Sequence, residues 1–272
     1  MNLDKYLTNK SILFFLILFS LVIYTQNAWI EGFFHDGYLY AALGKHAALK
    51  GKWIIPFLSE TNFEKFNQHP PFVFMIMGLF FKVFGSSFTA ARVFGASWTI
   101  ASIILFSLFI RKSLPDNNFQ KRIIFFTGIV FLLINDLIKK SRFPGLDTPL
   151  MFSFILNYLS FFHSYKLRML NQDKLYHWLI TGSLLGISLL IKGPPALIIP
   201  LGYFIFLIMS NSVKETLINF KPWAGLSVGF IIFSIWPLLL YYNNHFYIFE
   251  YYIKKQFFFS VVEGRGNQEN NI

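Results

Sequence analysis

Seven apolar stretches divide the sequence, and each is long enough, or nearly so, to cross a membrane as a helix. They lie at 11–30, 88–110, 123–138, 148–165, 176–191, 194–210 and 223–242. A spanning helix needs roughly 20 mostly apolar residues, so the shorter stretches must extend into neighbouring residues. Only 14% of the 272 residues are charged, whereas a soluble domain carries about 25%. The pattern predicts an all-α, polytopic membrane helical bundle with about seven transmembrane helices.

The apolar segment 70–85 decides the topology. If it crossed the membrane, Asp36 and Asp147 would lie on opposite faces. If it lies flat at the outer interface, four segments face the cytoplasm: 1–10, 111–122, 166–177 and 211–222. These hold 11 Lys and Arg in 46 residues, against 12 in about 99 outside, as the positive-inside rule expects. We therefore predict an interfacial helix at 70–85, a first extracytoplasmic loop at 31–87 and an external tail at 243–272.

Composition excludes several classes of site. Because the chain has no cysteine, it can hold no disulfide, thiol nucleophile or thiolate-bound metal. The net charge of +11 is explained by positive-inside loops and by attraction to anionic lipids. We see no Gly-rich phosphate loop and no zinc-ligand spacing. We therefore expect membrane lipids, and no nucleic acid, among the partners.

On this topology two acids, Asp36 and Asp147, share the outer face with an excess of cations. The cations near the spans are Arg92, Lys140, Arg142, Lys192 and Arg265. A lipid-linked phospho-sugar places its phosphate at this depth, where Lys and Arg can hold it by charge-assisted hydrogen bonds. A carboxylate can take the proton from an acceptor hydroxyl that attacks the anomeric carbon. This set predicts an inverting glycosyltransferase with Asp36 at its reaction centre.

Each of these residues also has a purely structural interpretation. Asp36 and Asp147 are good N-terminal caps for the helices that follow them. Lys192, at a helix end, interacts favourably with the helix dipole or extends to the headgroups, and Arg92 can do the same. His69, before Pro70-Pro71, reads equally well as an ordinary loop histidine. Asp136, late in the stretch 123–138, is the acid predicted to lie deepest in the membrane, which makes it a functional candidate, and the alternative is a position near enough to the surface to be solvated.

A transporter or flippase for a lipid-linked or anionic substrate is the main alternative, since it would also need cations and acids near the membrane. Transporters tend to show internal repeats and helices broken at the midplane. The charges here cluster outside and no repeat is seen, which favours the enzyme. An inactive membrane scaffold is a third alternative, against which the presence of both acids argues.

The ordered motifs of the chain resemble a known family over roughly residues 30–265. They are Asp36-Gly37 with Tyr40-Ala41, Gly51-Lys52-Trp53-x-x-Pro56, His69-Pro70-Pro71, Gly85, Ala91-Arg92, Asp147-Thr148-Pro149 and Leu190-Ile191-Lys192-Gly193-Pro194. Together they resemble the bacterial relatives of the dolichyl-phosphate-mannose protein mannosyltransferases, which include the lipid A aminoarabinose transferases. The resemblance implies a GT-C type module at 1–272 with interfacial helices in the first outer loop. It also implies a multi-pass enzyme of the bacterial inner (plasma) membrane, active on the periplasmic or external side.

The resemblance implies a polyprenyl-phosphate sugar donor and a lipid, glycan or protein acceptor. It assigns the base to Asp36 and a second essential acid to Asp147. It assigns His69 and Lys192 to the donor phosphate. Aminoarabinose transferases have Glu-Lys-Pro-Pro where this chain has Gln68-His69-Pro70-Pro71, and a neutral Gln is a poor metal ligand, so a divalent metal stays open. Relatives usually continue into further spans, so the chain is expected to be either a fragment or the conserved module alone.

Overall fold

The computed structural model describes residues 8–33, 35–61 and 64–259, and these residues form α-helices without a β-strand. The helices are α1 (Asn9–Thr25), α2 (His35–Lys50), α3 (Phe72–Phe84), α4 (Phe88–Ser113), α5 (Asn118–Leu133), α6 (Asn135–Ser141), α7 (Asp147–Met169), α8 (Leu175–Lys192), α9 (Ile198–Met209), α10 (Val213–Ile218), α11 (Phe220–Tyr242) and α12 (Tyr247–Ile253). A 3-10 turn, Pro194–Leu197, leads into α9, and a π-helical turn, Lys254–Phe259, follows α12. The predicted all-α class is confirmed.

The helices have the character of a membrane bundle. α4, α8 and α11 are long and apolar enough to cross a bilayer, while α1, α3 and the continuous segment Pro194–Met209 are apolar but shorter. Large apolar side chains face outward: Phe14 is 61% exposed, Phe126 62% and Phe230 69%. Soluble monomers rarely expose such contiguous apolar surface, so these faces are suited to lipid.

Two sequence-based expectations about acids are corrected. The stretch 123–138 is not one helix, because α5 ends at Leu133 and α6 begins at Asn135, with Ile134 in an extended conformation. Asp136 therefore lies exposed in the first turn of a short separate helix and not deep in a span. Asp36 lies in the first turn of α2 and is not its N-cap. Both positions favour a carboxylate, since the N-terminal end of a helix carries partial positive charge.

By its contacts the chain divides into two compact units, one formed by residues 1–41 and 79–159 and the other by 42–78 and 160–272. In the first unit, α1, α4 and α5 pack around a core of aliphatic side chains and one tyrosine. At one end Asn9 Nδ2 donates to Asp116 Oδ1 at 3.3 Å, next to the α4–α5 connection. At the opposite end Arg92 Nε donates to Ile30 O at 3.2 Å, which joins the start of α4 to the segment after α1.

This arrangement constrains the path of the first loop. The hydrogen bond between Arg92 and Ile30 O places the end of the α1 segment and the start of α4 at the same end of the first unit, so α2 and α3 cross the membrane together or not at all. α2 carries Asp36, Lys45, His46 and Lys50, and charged side chains within a bilayer are costly. The interfacial position of the segment 70–85 stays a prediction.

In the second unit, α8 and α11 run parallel in close contact. Gly182 and Gly186 of α8 face Gly225 and Gly229 of α11, and a Cβ at Gly182 would collide with the carbonyl oxygen of Gly225. Small residues four apart on both helices let their backbones approach closely, a common mode of helix association in membranes. This pairing fixes the two helices whose far ends carry Lys192 and the α11–α12 connection.

Candidate active site

At the end of the first unit where α4 begins, Arg92 binds three backbone carbonyl groups. Its Nε donates to Ile30 O at 3.2 Å, its Nη1 to Arg142 O at 2.8 Å and its Nη2 to Gly32 O at 2.5 Å. The guanidinium also lies 4.9 Å from the centre of the Phe33 ring. These contacts join the α1–α2 connection, the start of α4 and the α6–α7 loop.

Arg142 extends the same network to α1. Its Nη2 donates to Ile23 O at 2.9 Å and to Gln26 Oε1 at 3.0 Å. Its Nε is buried and has no hydrogen-bond partner among the residues that the structure describes. The side chains of Arg92 and Arg142 therefore hold the loop before α7, and their predicted binding of the donor phosphate stays a prediction.

Asp147 opens α7 beside a cation. Its Oδ2 lies 2.8 Å from Lys140 Nζ, and the two side chains are 34% and 49% exposed. At this exposure the pair contributes only about 0–1 kcal/mol to stability. The ion pair matters for position, because it holds one carboxylate and one ammonium together at the start of α7.

Tyr40 brings the two predicted acids into one environment. Its side chain is only 8% exposed. Burial raises the pKa of the Tyr40 hydroxyl well above its usual value, and the negative charges of Asp36 and Asp147 raise this pKa further. Both carboxylates therefore act on one hydroxyl group, although 110 positions separate them in the chain. Asp36 itself is exposed at this end.

A cavity of about 230 Å³ opens beside Asp147. Its polar lining comprises Asp136, Lys140, Asp147 and Thr148, and the rest of its wall is apolar. Asp36 does not line this cavity. The cavity thus combines two acids, Asp136 and Asp147, with the cation Lys140 and an apolar wall. This combination suits a sugar that is linked to a lipid through a charged group.

The sequence analysis does not assign Tyr40 or Asp136 to the site. Tyr40 was noted only within the Tyr40-Ala41 motif, and a tyrosine one helical turn after an acid carries no signal of its own. Asp136 was considered as an acid but placed inside a span. The break between Leu133 and Asn135 is what brings it to the cavity.

The remaining predicted residues belong to the second unit or lie outside the described part. Lys192 ends α8 and is followed by Gly193, whose φ of 70° and proximity to the Tyr252 hydroxyl both favour glycine. His69 packs near Phe66, with 6.3 Å between ring centres. Arg265 lies outside the described residues. The structure thus brings together Asp36, Arg92, Lys140, Arg142 and Asp147, all in the first unit.

The side chains do not form an obvious metal centre. Across 8–33, 35–61 and 64–259, no three His, Asp or Glu side chains come close enough to hold one ion. Asp147, the acid nearest the cavity's cation, already pairs with Lys140. The described donor set therefore does not fit a metal held by three protein ligands.

Comparison with solved structures identifies the fold. The chain superposes on ArnT from Cupriavidus metallidurans bound to undecaprenyl phosphate with a TM-score of 0.69, at 16% identity, over 93% of this chain and 44% of ArnT. For ArnT in the apo state the TM-score is 0.68, at 18% identity, over 87% and 43%. The predicted GT-C type fold is confirmed.

Sequence comparisons agree with this result. The chain is 26% identical over 219 residues to an uncharacterized protein of Aquifex aeolicus, which covers 79% of this chain and 41% of that protein. It thus spans less than half the length of the relatives it matches. The model of the family described as dolichyl-phosphate-mannose-protein mannosyltransferase matches residues 68–237, more than half of the chain. The protein is therefore a member of this mannosyltransferase family and has its GT-C type membrane fold.

Proposed function

We propose that the protein transfers a sugar from a polyprenyl-phosphate donor to a lipid, glycan or protein acceptor, with inversion at the anomeric carbon. The observation that carries this proposal is the convergence of Asp36 and Asp147 on Tyr40 beside Lys140. Family membership supports the reaction class. The similarity to ArnT, which was crystallised with undecaprenyl phosphate, supports the donor.

The reaction is a single displacement. The acceptor oxygen forms a bond to the anomeric carbon while the bond from that carbon to the phosphate oxygen breaks. Asp36, the more accessible acid, takes the acceptor proton. Polyprenyl phosphate leaves with the bonding electron pair. Cations stabilise the charge that develops on the phosphate, and Lys140, which lies beside Asp147 in the first unit, is the proposed contributor.

Asp147 has a supporting role in this scheme. Its pairing with Lys140 holds both groups together in the lining of the cavity. A tyrosine hydroxyl is protonated at physiological pH, so Tyr40 can donate a hydrogen bond to a carboxylate or to the sugar. Together the three residues provide one base, one fixed negative charge and one neutral donor.

We place the site on the extracytoplasmic side of the bacterial inner membrane. The opposite end of the first unit carries Lys10, Arg111, Lys112, Lys121 and Arg122, and cytoplasmic ends of membrane bundles are enriched in such residues. A reporter fused within 111–122 should therefore be active only in the cytoplasm. A periplasmic signal from that fusion would overturn the sidedness.

The donor and the reaction can be tested together in cells. Deleting the gene should cause a polyprenyl-phosphate sugar to accumulate, detected by mass spectrometry of extracted lipids, and the wild-type gene should reverse this. Asp36→Asn should not reverse it, whereas Glu31→Gln, which removes an exposed acid from the same end of the first unit, should. An unchanged lipid profile in the deletion strain would contradict the proposed donor.

A further inference from the structure

The second unit contains a cavity of about 270 Å³ that is lined by residues of α7, α8, α9, α10 and α11. Every residue of the lining falls within 161–226, and the wall is largely apolar. Its aromatic rings are those of Phe161, Trp178, Tyr203, Phe204 and Trp223. None of the lining residues has a role in the reaction proposed above.

The two indole rings of the wall have their N–H groups satisfied within the protein. Trp178 Nε1 donates to Asp173 Oδ2 at 3.0 Å. Trp223 Nε1 donates to Leu217 O at 2.8 Å. An occupant of the cavity is therefore not needed to satisfy either indole, and both rings offer it apolar surface.

Thr216 of α10 supplies an independent signal of a ligand. Its side chain lines the cavity and is only 1% exposed. Its Oγ1 is buried and has no hydrogen-bond partner among the residues within the described ranges. Buried hydroxyl groups are nearly always hydrogen-bonded, so one without a partner requires an explanation. An occupant that brings an acceptor oxygen into this apolar cavity would provide the partner.

The volume and the surroundings of the cavity limit the kind of occupant. About 270 Å³ is slightly below the usual range of sites for whole drug-sized molecules, so the cavity suits one part of a larger molecule. Phe204 and Trp223 line it and are also exposed on the surface, so the cavity borders the face that is suited to lipid. One acyl chain with its ester carbonyl oxygen has the required size, apolar surface and acceptor.

The same end of the second unit carries an excess of positive charge. The segments 166–177 and 211–222 together hold five Lys and Arg against two acids. Arg168 Nη2 donates to the backbone carbonyl oxygen of Glu215, the residue before Thr216, so part of this charge lies beside the cavity. Because lipid tails are as apolar as the cavity wall, contacts with the headgroup must decide which lipid binds. Basic pockets between membrane helices suit anionic headgroups.

We propose that this cavity holds one acyl chain of an anionic phospholipid, with an ester carbonyl oxygen accepting a hydrogen bond from Thr216 and the phosphate facing the cations of 166–177 and 211–222. The bound lipid fills the space between α8, α9 and α11 and stabilises α10 at the end of these helices. The site does not depend on the glycosyltransferase function proposed above, because all of its residues belong to the second unit and no step of the reaction uses them.

Binding can be measured by native mass spectrometry of the purified full chain released from detergent micelles. Phosphatidylglycerol and phosphatidylcholine with identical acyl chains are titrated separately. One phosphatidylglycerol should remain bound to each chain, with an affinity at least fivefold higher than that of phosphatidylcholine. Equal affinity for the two lipids would refute the anionic headgroup, and the absence of any retained phospholipid would refute the site.

Matched variants locate the acyl chain. Leu226→Trp places a larger side chain in the cavity wall and should weaken phosphatidylglycerol binding at least tenfold. Leu239→Trp, on the same helix outside the cavity and with similar exposure (38% against 39%), should change it less than twofold. Equal losses in the two variants would place the lipid elsewhere and overturn the proposal.

The hydrogen bond has its own control. Thr216→Val keeps the shape of the side chain, removes the hydroxyl and should weaken phosphatidylglycerol binding at least threefold. Thr99→Val removes a hydroxyl from α4 that is likewise buried without a partner in the part of the chain that the structure describes, and it should leave binding unchanged. An unchanged affinity in Thr216→Val would refute the contact with the ester oxygen.

Two further measurements test the headgroup and the identity of the lipid. Lys214→Ala should reduce the preference for phosphatidylglycerol at least twofold, whereas Lys112→Ala, at an exposed lysine of the first unit, should not. Equal effects would show a diffuse charge effect and refute the position of the phosphate. Polyprenyl phosphate added in equal amount should not displace phosphatidylglycerol. Stoichiometric displacement would assign the cavity to a polyprenyl chain and overturn the proposal.

Discussion

The guanidinium of Arg92 donates a 2.8 Å hydrogen bond to the backbone carbonyl oxygen of Arg142. This bond joins the first turn of α4 to the loop that leads into α7, whose first residue is Asp147. Arg142 in turn donates to the carbonyl oxygen of Ile23. The position of one predicted acid therefore depends on two arginines whose sequence context suggested phosphate binding.

Replacing Arg92 by alanine should destabilise the fold more than it weakens donor binding. The side chain makes three charge-assisted hydrogen bonds to carbonyl oxygens, and losing them should cost about 2–5 kcal/mol. Thermal unfolding in detergent and donor titration measure the two effects. Lys112→Ala, which removes an exposed cation from the other end of α4, serves as the control. An unchanged melting temperature with much weaker donor binding would instead make Arg92 a phosphate ligand.

Tyr40→Phe should reduce turnover about tenfold and leave the donor KM within twofold. The substitution keeps the ring but removes the hydroxyl on which both carboxylates act, and a positioned hydrogen-bond group typically contributes at this level or above. Initial rates at several donor concentrations separate the two constants. Tyr38→Phe, at an exposed tyrosine of the same helix, should have no effect. Equal losses in both variants would remove Tyr40 from the site.

Asp173 should make stability depend on pH. Burial raises its pKa, but hydrogen bonds from Trp178 and Lys221 and the charges of Lys221 and Arg168 outweigh burial, so the pKa falls below the ordinary 3.8. The folded state therefore gains stability above about pH 4 and loses it as the pH falls through the lowered folded pKa. Asp173→Asn should lower stability by about 1–3 kcal/mol at pH 7.

The dependence of stability on pH tests whether the charge of Asp173 is responsible. Unfolding midpoints measured from pH 7 to pH 3 should show the wild type and Asp173→Asn converging at the acid end. A constant difference over this range would mean that the carboxylate charge does not stabilise the contact between the starts of α8 and α11, where Asp173 Oδ1 lies 3.2 Å from Lys221 Nζ.

The sequence predicted the helical class and the order of the apolar segments because hydropathy is a local property. It also selected Asp36 and Asp147 by their position after apolar stretches. It could not place Tyr40, since only folding reveals that the charges of both acids raise the pKa of its hydroxyl. The break at Ile134 was equally hidden, because the apolar run continues through the residue at which α5 ends.

The arginines show a different limit of sequence reasoning. The sequence predicts Arg92 and Arg142 to be cations near a lipid interface. Most of their hydrogen bonds go to backbone carbonyl oxygens, among them those of Ile23, Ile30 and Gly32. No local pattern in the sequence indicates which backbone groups will need donors. Charge and depth are readable from a sequence, whereas hydrogen-bond partners distant in the chain are not.

The most direct test of the central claim is the single-turnover rate of polyprenyl-phosphate release by Asp36→Asn, Asp147→Asn and the double variant. Labelled donor and a membrane extract of the deletion strain provide the substrates. If the two acids form one site, each single variant should lose at least about 100-fold, and the double variant should be little worse than the poorer single one. A folded, donor-binding Asp36→Asn protein with the wild-type rate would contradict the account.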